Sequence, residues 1–196
     1  LKKKSYENIY YDKLYNNEID SKIIKKIKEI LFQEYPNKKF TFQNFKEMGN
    51  SIQEDVAIFH RSNKLIALHI SFPSMWIPKE KIGMTFSDIH QHVPGMNKFL
   101  ENEKKYVDMM VDAKQPIIRY VWGEHFGYLL SSLEPIKEGI KVIHTERQTF
   151  IGMPEDDLGI FLIKKKLCYL RILIPNFNNG MKIKLILCQK NKKNIK

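Results

Sequence analysis

Residues 55–72, Asp55-Val56-Ala57-Ile58-Phe59-His60-Arg61-Ser62-Asn63-Lys64-Leu65-Ile66-Ala67-Leu68-His69-Ile70-Ser71-Phe72, decide the fold. Asp55 to Arg61 and Lys64 to Phe72 are short runs rich in branched and aromatic side chains, and both suit a pleated, half-buried surface. Ser62-Asn63 between them has the length and chemistry of a two-residue hairpin turn. Pro73 and Pro78 bracket the next residues and end the second strand, since proline cannot donate to a ladder. The centre of the chain is therefore an antiparallel hairpin.

Upstream, residues 19–35 read as an amphipathic helix. Ile19, Ile23, Ile24, Ile27, Ile30 and Leu31 fall on one stripe at helical spacing, with Lys22, Lys25, Lys26 and Lys28 outside it. Asp20 or Ser21 caps its start and Pro36 stops it. A connector with Phe40, Phe42 and Phe45 leads to the hairpin. Downstream, residues 79–111 are helical in character, broken at Val93-Pro94-Gly95. Met96 to Met110 is the strongest piece, with Phe99, Leu100, Val107, Met110 and Val111 on its apolar side. Strands return at 116–130, 141–153 and 158–175, separated by turns at Gly139, 154–157 and 176–180, and 181–188 adds a final strand. Helix, hairpin, helices, then an antiparallel meander is an α+β order, not an alternating βαβ one. The expected organisation is a helical region with a basic start (1–48), a core (49–188) and a basic tail (189–196).

The chain has 196 residues, enough for one well-packed core. Hydrophobic residues make up 43% and aromatics 12%, which argues against disorder despite a formal net charge of +11. Much of that surplus sits at the ends, in Lys2 to Lys4 and in Lys190, Lys192, Lys193 and Lys196. It is carried by lysine without an arginine-rich stripe, so nucleic acid is not favoured as a partner. Cys168 and Cys188, the only cysteines, are too sparse for a disulfide scaffold and read as small buried hydrophobes. No apolar run reaches the ~20 residues of a membrane span, and no hydrophobic region follows the first lysines as in a signal peptide. The expectation is a cytoplasmic protein without a membrane partner.

Six histidines are present, but no HExxH, and His90-Gln91-His92 completes no zinc pattern. Phosphate-binding glycine loops and the GxSxG nucleophile elbow are missing as well. What remains is a set of polar residues at strand ends and inside apolar strands. Gln53-Glu54-Asp55 precedes the hairpin, and Phe72-Pro73-Ser74-Met75-Trp76 closes it. Ile89-His90-Gln91-His92-Val93-Pro94 precedes the long helix, Arg119 and Trp122 share a strand, and Glu146-Arg147-Gln148-Thr149 interrupts another. The last tetrad is the hardest to explain by packing, because buried ionic groups must be paired or solvated.

Taken in order, Gln-Glu-Asp at 53–55, Phe-Pro-Ser-x-Trp at 72–76, Lys81-Ile82-Gly83, Ile-His-x-x-Val-Pro-Gly at 89–95, Arg-x-x-Trp at 119–122 and Glu-Arg-Gln-Thr with Met-Pro at 146–154 resemble the heme-dependent oxidative N-demethylase family, specifically its heme-binding α subunit. The resemblance runs over roughly residues 50 to 175. It implies a PAS-like antiparallel sheet with helices packed on one face and a heme b between them. It also implies oxidation of a secondary amine such as dimethylamine to a primary amine and formaldehyde, using dioxygen. The electrons would originate from NADPH through separate flavin and iron–sulfur partner subunits, for which this chain carries no sequence of its own.

The same resemblance suggests roles. A heme needs an axial donor, an apolar slot and cations for its propionates. His90 is the expected iron ligand, against the alternative that it caps or packs. His92 stands where the family usually has a small residue or proline, and it competes with His90 or sits exposed. Arg119 and Arg147 are candidates for propionate or distal contacts. The alternative is an ion pair of Arg147 with Glu146 or Glu54. Lys81 is a rim candidate for a propionate, and Trp122, like Trp76, either lines the cofactor or is core. Glu54 and Asp55, with Glu54 preferred, are the catalytic carboxylates that attract an ammonium substrate; as an alternative they cap a turn. Val121 and Gly123 flank Trp122 where the family commonly has Asn and Ser, which touches substrate choice and turnover. The alternative function is a non-catalytic heme-binding PAS-like sensor or interaction domain.

Overall fold

The computed structural model describes residues 9–71, 73, 76–93, 95–126 and 141–169. Phe72, Ser74, Met75 and Pro94 of the quoted motifs lie outside them. So do Cys188, the turns at Gly139 and 176–180, the expected strand at 181–188 and both lysine-rich ends.

Six strands form one antiparallel sheet: β1 (Ile9–Tyr11), β2 (Asp55–His60), β3 (Lys64–His69), β4 (Ile117–Phe126), β5 (Lys141–Met153) and β6 (Leu158–Tyr169). Their spatial order is β1-β3-β2-β6-β5-β4. The hairpin forms, but His60 pairs with Lys64, so the turn is the three residues Arg61-Ser62-Asn63 and not the expected two. Asn63 takes φ 65° there, a conformation asparagine tolerates better than most residues. The meander follows, and β6 returns beside β2, pairing Val56 with Leu162 and Ile58 with Ile160. That pairing fuses hairpin and meander into one α+β sheet.

Helix α1 (Asn17–Glu34) starts two residues before the expected range. The Asn16 side chain, not Asp20 or Ser21, accepts the Ile19 amide at 3.0 Å and caps it. Asp20 instead accepts the Tyr15 hydroxyl at 2.6 Å and the Phe45 amide at 3.0 Å, tying α1 to α2 (Phe45–Ser51). The segment 79–111 resolves into a 3-10 turn (Pro78–Lys81), α3 (Phe86–His90), α4 (Asn97–Leu100) and α5 (Glu103–Val111).

The sheet is covered on both faces, not one. Val56, Ile58, Ile151, Ile160 and Leu162 pack under α1 and α2 on what we term the back face. Ala57, Phe59, Phe150 and Phe161 pack under α3 and α5 on the front face. The cause is visible in β2, where five consecutive residues from Asp55 to Phe59 are buried. A strand apolar on both parities needs a cover on each side. Helix α5 comes close enough that a Cβ on Gly152 would collide with the carbonyl oxygens of Val111 and Ala113. The outer strand is barer: Tyr120 is 73% and Trp122 75% exposed on the back face of β4.

Candidate functional site

Strand alternation sorts the candidate residues between faces. In the β4–β5 ladder Arg119 pairs with Gln148 and Val121 with Glu146, while Tyr120 pairs with Arg147 and Trp122 with Thr145. Directly paired residues share a face and neighbours along a strand do not. Arg119, Gln148 and Glu146 therefore lie on the front face with Phe150. Arg147, Tyr120 and Trp122 lie on the back. In β2, Asp55 shares the front face with Ala57, and Glu54 shares the back with Val56.

The front-face group is a connected polar strip. Arg119 donates from Nε to Gln148 Oε1 at 2.6 Å, and Gln148 donates from Nε2 to Glu146 Oε2 at 2.8 Å. Glu146 Oε1 is 3.5 Å from His144 Nε2 and 4.0 Å from Lys165 Nζ. Asp55 is 1% exposed and accepts the Ser71 amide at 2.8 Å. The Arg119 guanidinium rests over the rings of Phe150 and Phe99, at 5.4 and 6.0 Å from their centroids. Burial pushes its proton affinity down, against the pull of Glu146 and Tyr106.

His90 faces the same side from the end of α3. A capping box between Thr85 and Asp88 starts that helix, and Glu103 accepts the Ser87 amide at 2.6 Å. The His90 ring stacks on Phe86 at 4.2 Å and donates from Nδ1 to the Phe86 carbonyl at 2.8 Å. This bond fixes the tautomer and leaves the Nε2 lone pair available; among the described residues nothing is bonded to it. Burial pushes the imidazole below its ordinary range; the Phe86 bond opposes this, while the nearby charges of Arg119 and Lys81 add to it. The guanidinium and the ammonium thus both sit within electrostatic reach of the imidazole.

The remaining candidates form a separate, structural cluster. Arg147 donates from Nη1 to Glu34 Oε2 at 2.9 Å and from Nη2 to Glu34 Oε1, a two-pronged pair with α1. Glu54 pairs with Lys164 at 3.2 Å, and Lys164 also donates to the Tyr35 hydroxyl at 3.1 Å. The partner of Arg147 is thus Glu34, rather than Glu146 or Glu54. Trp76 packs partly buried on the front-face core, away from Trp122. Sequence reading singled out Glu146 and Gln148 within one tetrad without separating them from Arg147, and it missed Lys165. The available signal was parity: 144, 146 and 148 share a face, whereas 146 and 147 never do.

A groove of about 430 Å³ opens elsewhere, between α1 and the β5–β6 turn. Its four lysines face Glu29, Glu155 and Asp156, so it favours no ligand charge strongly. Among the described residues no helix is long and apolar enough to cross a membrane.

Fold and site together define an α+β protein with a cation-bearing polar strip on one face of an antiparallel sheet. More narrowly, the chain belongs to the family described as haem-dependent oxidative N-demethylase, alpha subunit-like, whose model matches residues 5–178. That description carries heme dependence and a subunit-like role for the family. No curated protein matches the chain.

The front face fits such a group by its chemistry. His90 offers Nε2 with Nδ1 already engaged, and among the described residues Arg119 has no carboxylate within ion-pair distance. A Cβ at Gly123, on the same face, would meet nothing within 4 Å. An imidazole donor and a cation without an ion pair among the described residues, with space at Gly123, suit an iron porphyrin with anionic propionates.

Proposed function

We propose that this chain is the heme-binding oxygenase component of an oxidative N-demethylase. It would take a secondary amine of the dimethylamine kind, one dioxygen, two electrons and two protons, and release primary amine, formaldehyde and water. The observation that supports this best is His90, with Nδ1–H committed to the Phe86 carbonyl and Nε2 unbonded among the described residues, within electrostatic reach of Arg119, which closes no ion pair among them.

In this reading His90 would hold the iron, and Arg119 and Lys81 would receive the propionates. Heme b, when bound, supplies the capture and reduction of dioxygen. The chain's own residues bind and orient. Phe86 and Glu103 hold the imidazole in place, and Gln148 fixes the plane of Arg119. Asp55 is the acid that shares the face and can attract an ammonium, whereas Glu54 stays in its ion pair with Lys164. The electrons come from a separate reductase partner, with NADPH as source through flavin and iron–sulfur groups.

A second reading, a heme-binding sensor without turnover, is favoured by one observation. Val121 and Gly123 both lie on the front face, opposite Glu146 and His144, so the strip lacks two hydrogen-bonding side chains there. The test supplies heme, a chemical reductant, dioxygen and a panel of secondary amines, and measures formaldehyde. Formaldehyde supports the enzyme. Heme and gas binding without formaldehyde supports the sensor, and failure to take up heme overturns both.

A further inference from the structure

Lys165 is 9% exposed in the middle of β6, on the front face, where an uncharged side chain would pack at lower cost. Two carboxylates from the strands on either side compensate it. Glu146 on β5 is its direct ladder partner, with Oε1 4.0 Å from Nζ. Asp55 on β2 pairs with Ile163, two residues before Lys165, so its carboxylate points to the same face within Coulombic range. The other charged or titratable groups facing this cluster are His144 on β5, 3.5 Å from Glu146, and Arg119 on β4, reached through Gln148.

We propose that Lys165 is a positioning residue for the front-face site. It holds the Glu146 carboxylate between β5 and β6, and so holds Gln148 and, through it, the Arg119 guanidinium. The order of contacts carries this assignment. Glu146 presents one oxygen to Lys165 and the other to Gln148, whose amide nitrogen donates to Glu146 while its oxygen accepts from Arg119 Nε. A carboxylate freed of its ammonium is drawn toward solvent, and Gln148 then loses the acceptor that sets its orientation. The same ammonium interacts with both carboxylates and offsets their mutual repulsion. What the site binds rests on the proposed function; the link from Lys165 to Arg119 does not.

The test uses the full chain as wild type, Lys165→Met and Lys165→Arg, with two readouts. In heme-free protein, the Arg119 Nε–H resonance is followed by 15N NMR for exchange with solvent. Lys165→Met is expected to accelerate that exchange about tenfold, and Lys165→Arg to restore protection. In a heme titration, Lys165→Met is expected to weaken binding several-fold without moving the absorption maximum, because His90 is untouched. Unchanged Arg119 exchange in Lys165→Met overturns the proposal, whatever heme does. Should Lys165→Met not fold, Lys165→Gln carries the same comparison. A wild type that ignores heme but shows the Arg119 effect overturns the functional reading and leaves the positioning role standing.

Discussion

Arg119 and Arg147 occupy β4 and β5 on adjacent rungs of one ladder, yet their guanidinium groups point to opposite faces of the sheet. Arg147 reaches α1 and closes on Glu34, while Arg119, among the described residues, reaches Gln148 and two aromatic rings. One arginine closes an ion pair with a helix, and the other closes none among the described residues.

Arg147→Ala should therefore destabilise the fold and spare the site. The pair is two-pronged and largely shielded, at 21% and 26% side-chain exposure, so a loss of about 1–2 kcal/mol is expected. The bond to Arg147 holds the Glu34 carboxyl below its ordinary range. A depressed acid contributes stability above its unfolded-chain value, and that contribution is lost as pH falls through the folded value. Urea midpoints at pH 7 and pH 3 should thus differ less in Arg147→Ala than in wild type.

Arg119→Ala should show the reverse. Its removal should cost less stability, because it closes no ion pair among the described residues, and it should weaken heme binding about tenfold in a titration at fixed ionic strength. Trp122→Ala, at a position 75% exposed on the other face, should change neither heme affinity nor melting temperature measurably.

Lys165 gives an alkaline prediction of opposite sense to Glu34. Burial pulls its ammonium below the ordinary value of 10.5, against Glu146 and Asp55. Below that depressed folded value the native state carries a disfavoured charge, and this penalty is relieved as pH rises toward 10.5. Relative to Lys165→Met, wild type should gain stability as pH rises through the depressed folded value toward 10.5, measured by urea unfolding.

Gly152→Ala should destabilise by about 1–3 kcal/mol, since the new methyl would have to displace the Val111 and Ala113 carbonyls that bring α5 onto β5. A melting curve checks it. An unchanged midpoint would mean that α5 packs less closely than described.

The hairpin at Asp55–His69 was legible because its apolar runs, proline stop and Asn63 turn all agree. The stripe Ile23, Ile24, Ile27, Ile30 and Leu31 likewise announced α1, and these residues are buried as the spacing requires. Helix α2 was not legible, since seven residues are too few for a period to emerge from Phe45 and Met48. Nor was β1, whose three residues become a strand only by pairing with β3. The candidate site was half legible. His90 and Arg119 stood out as residue types, but which arginine and which acid share a face depends on ladder register. Glu34, the partner of Arg147, lies 113 positions away on another element.

The central claim is that His90 Nε2 holds heme iron on the front face. The absorption spectrum of heme-loaded wild type and His90→Ala, each recorded with and without added imidazole, tests it most directly. The account predicts a Soret band in wild type that shifts or is lost in His90→Ala and returns when imidazole is supplied. An identical spectrum and heme affinity in both proteins without imidazole would contradict it.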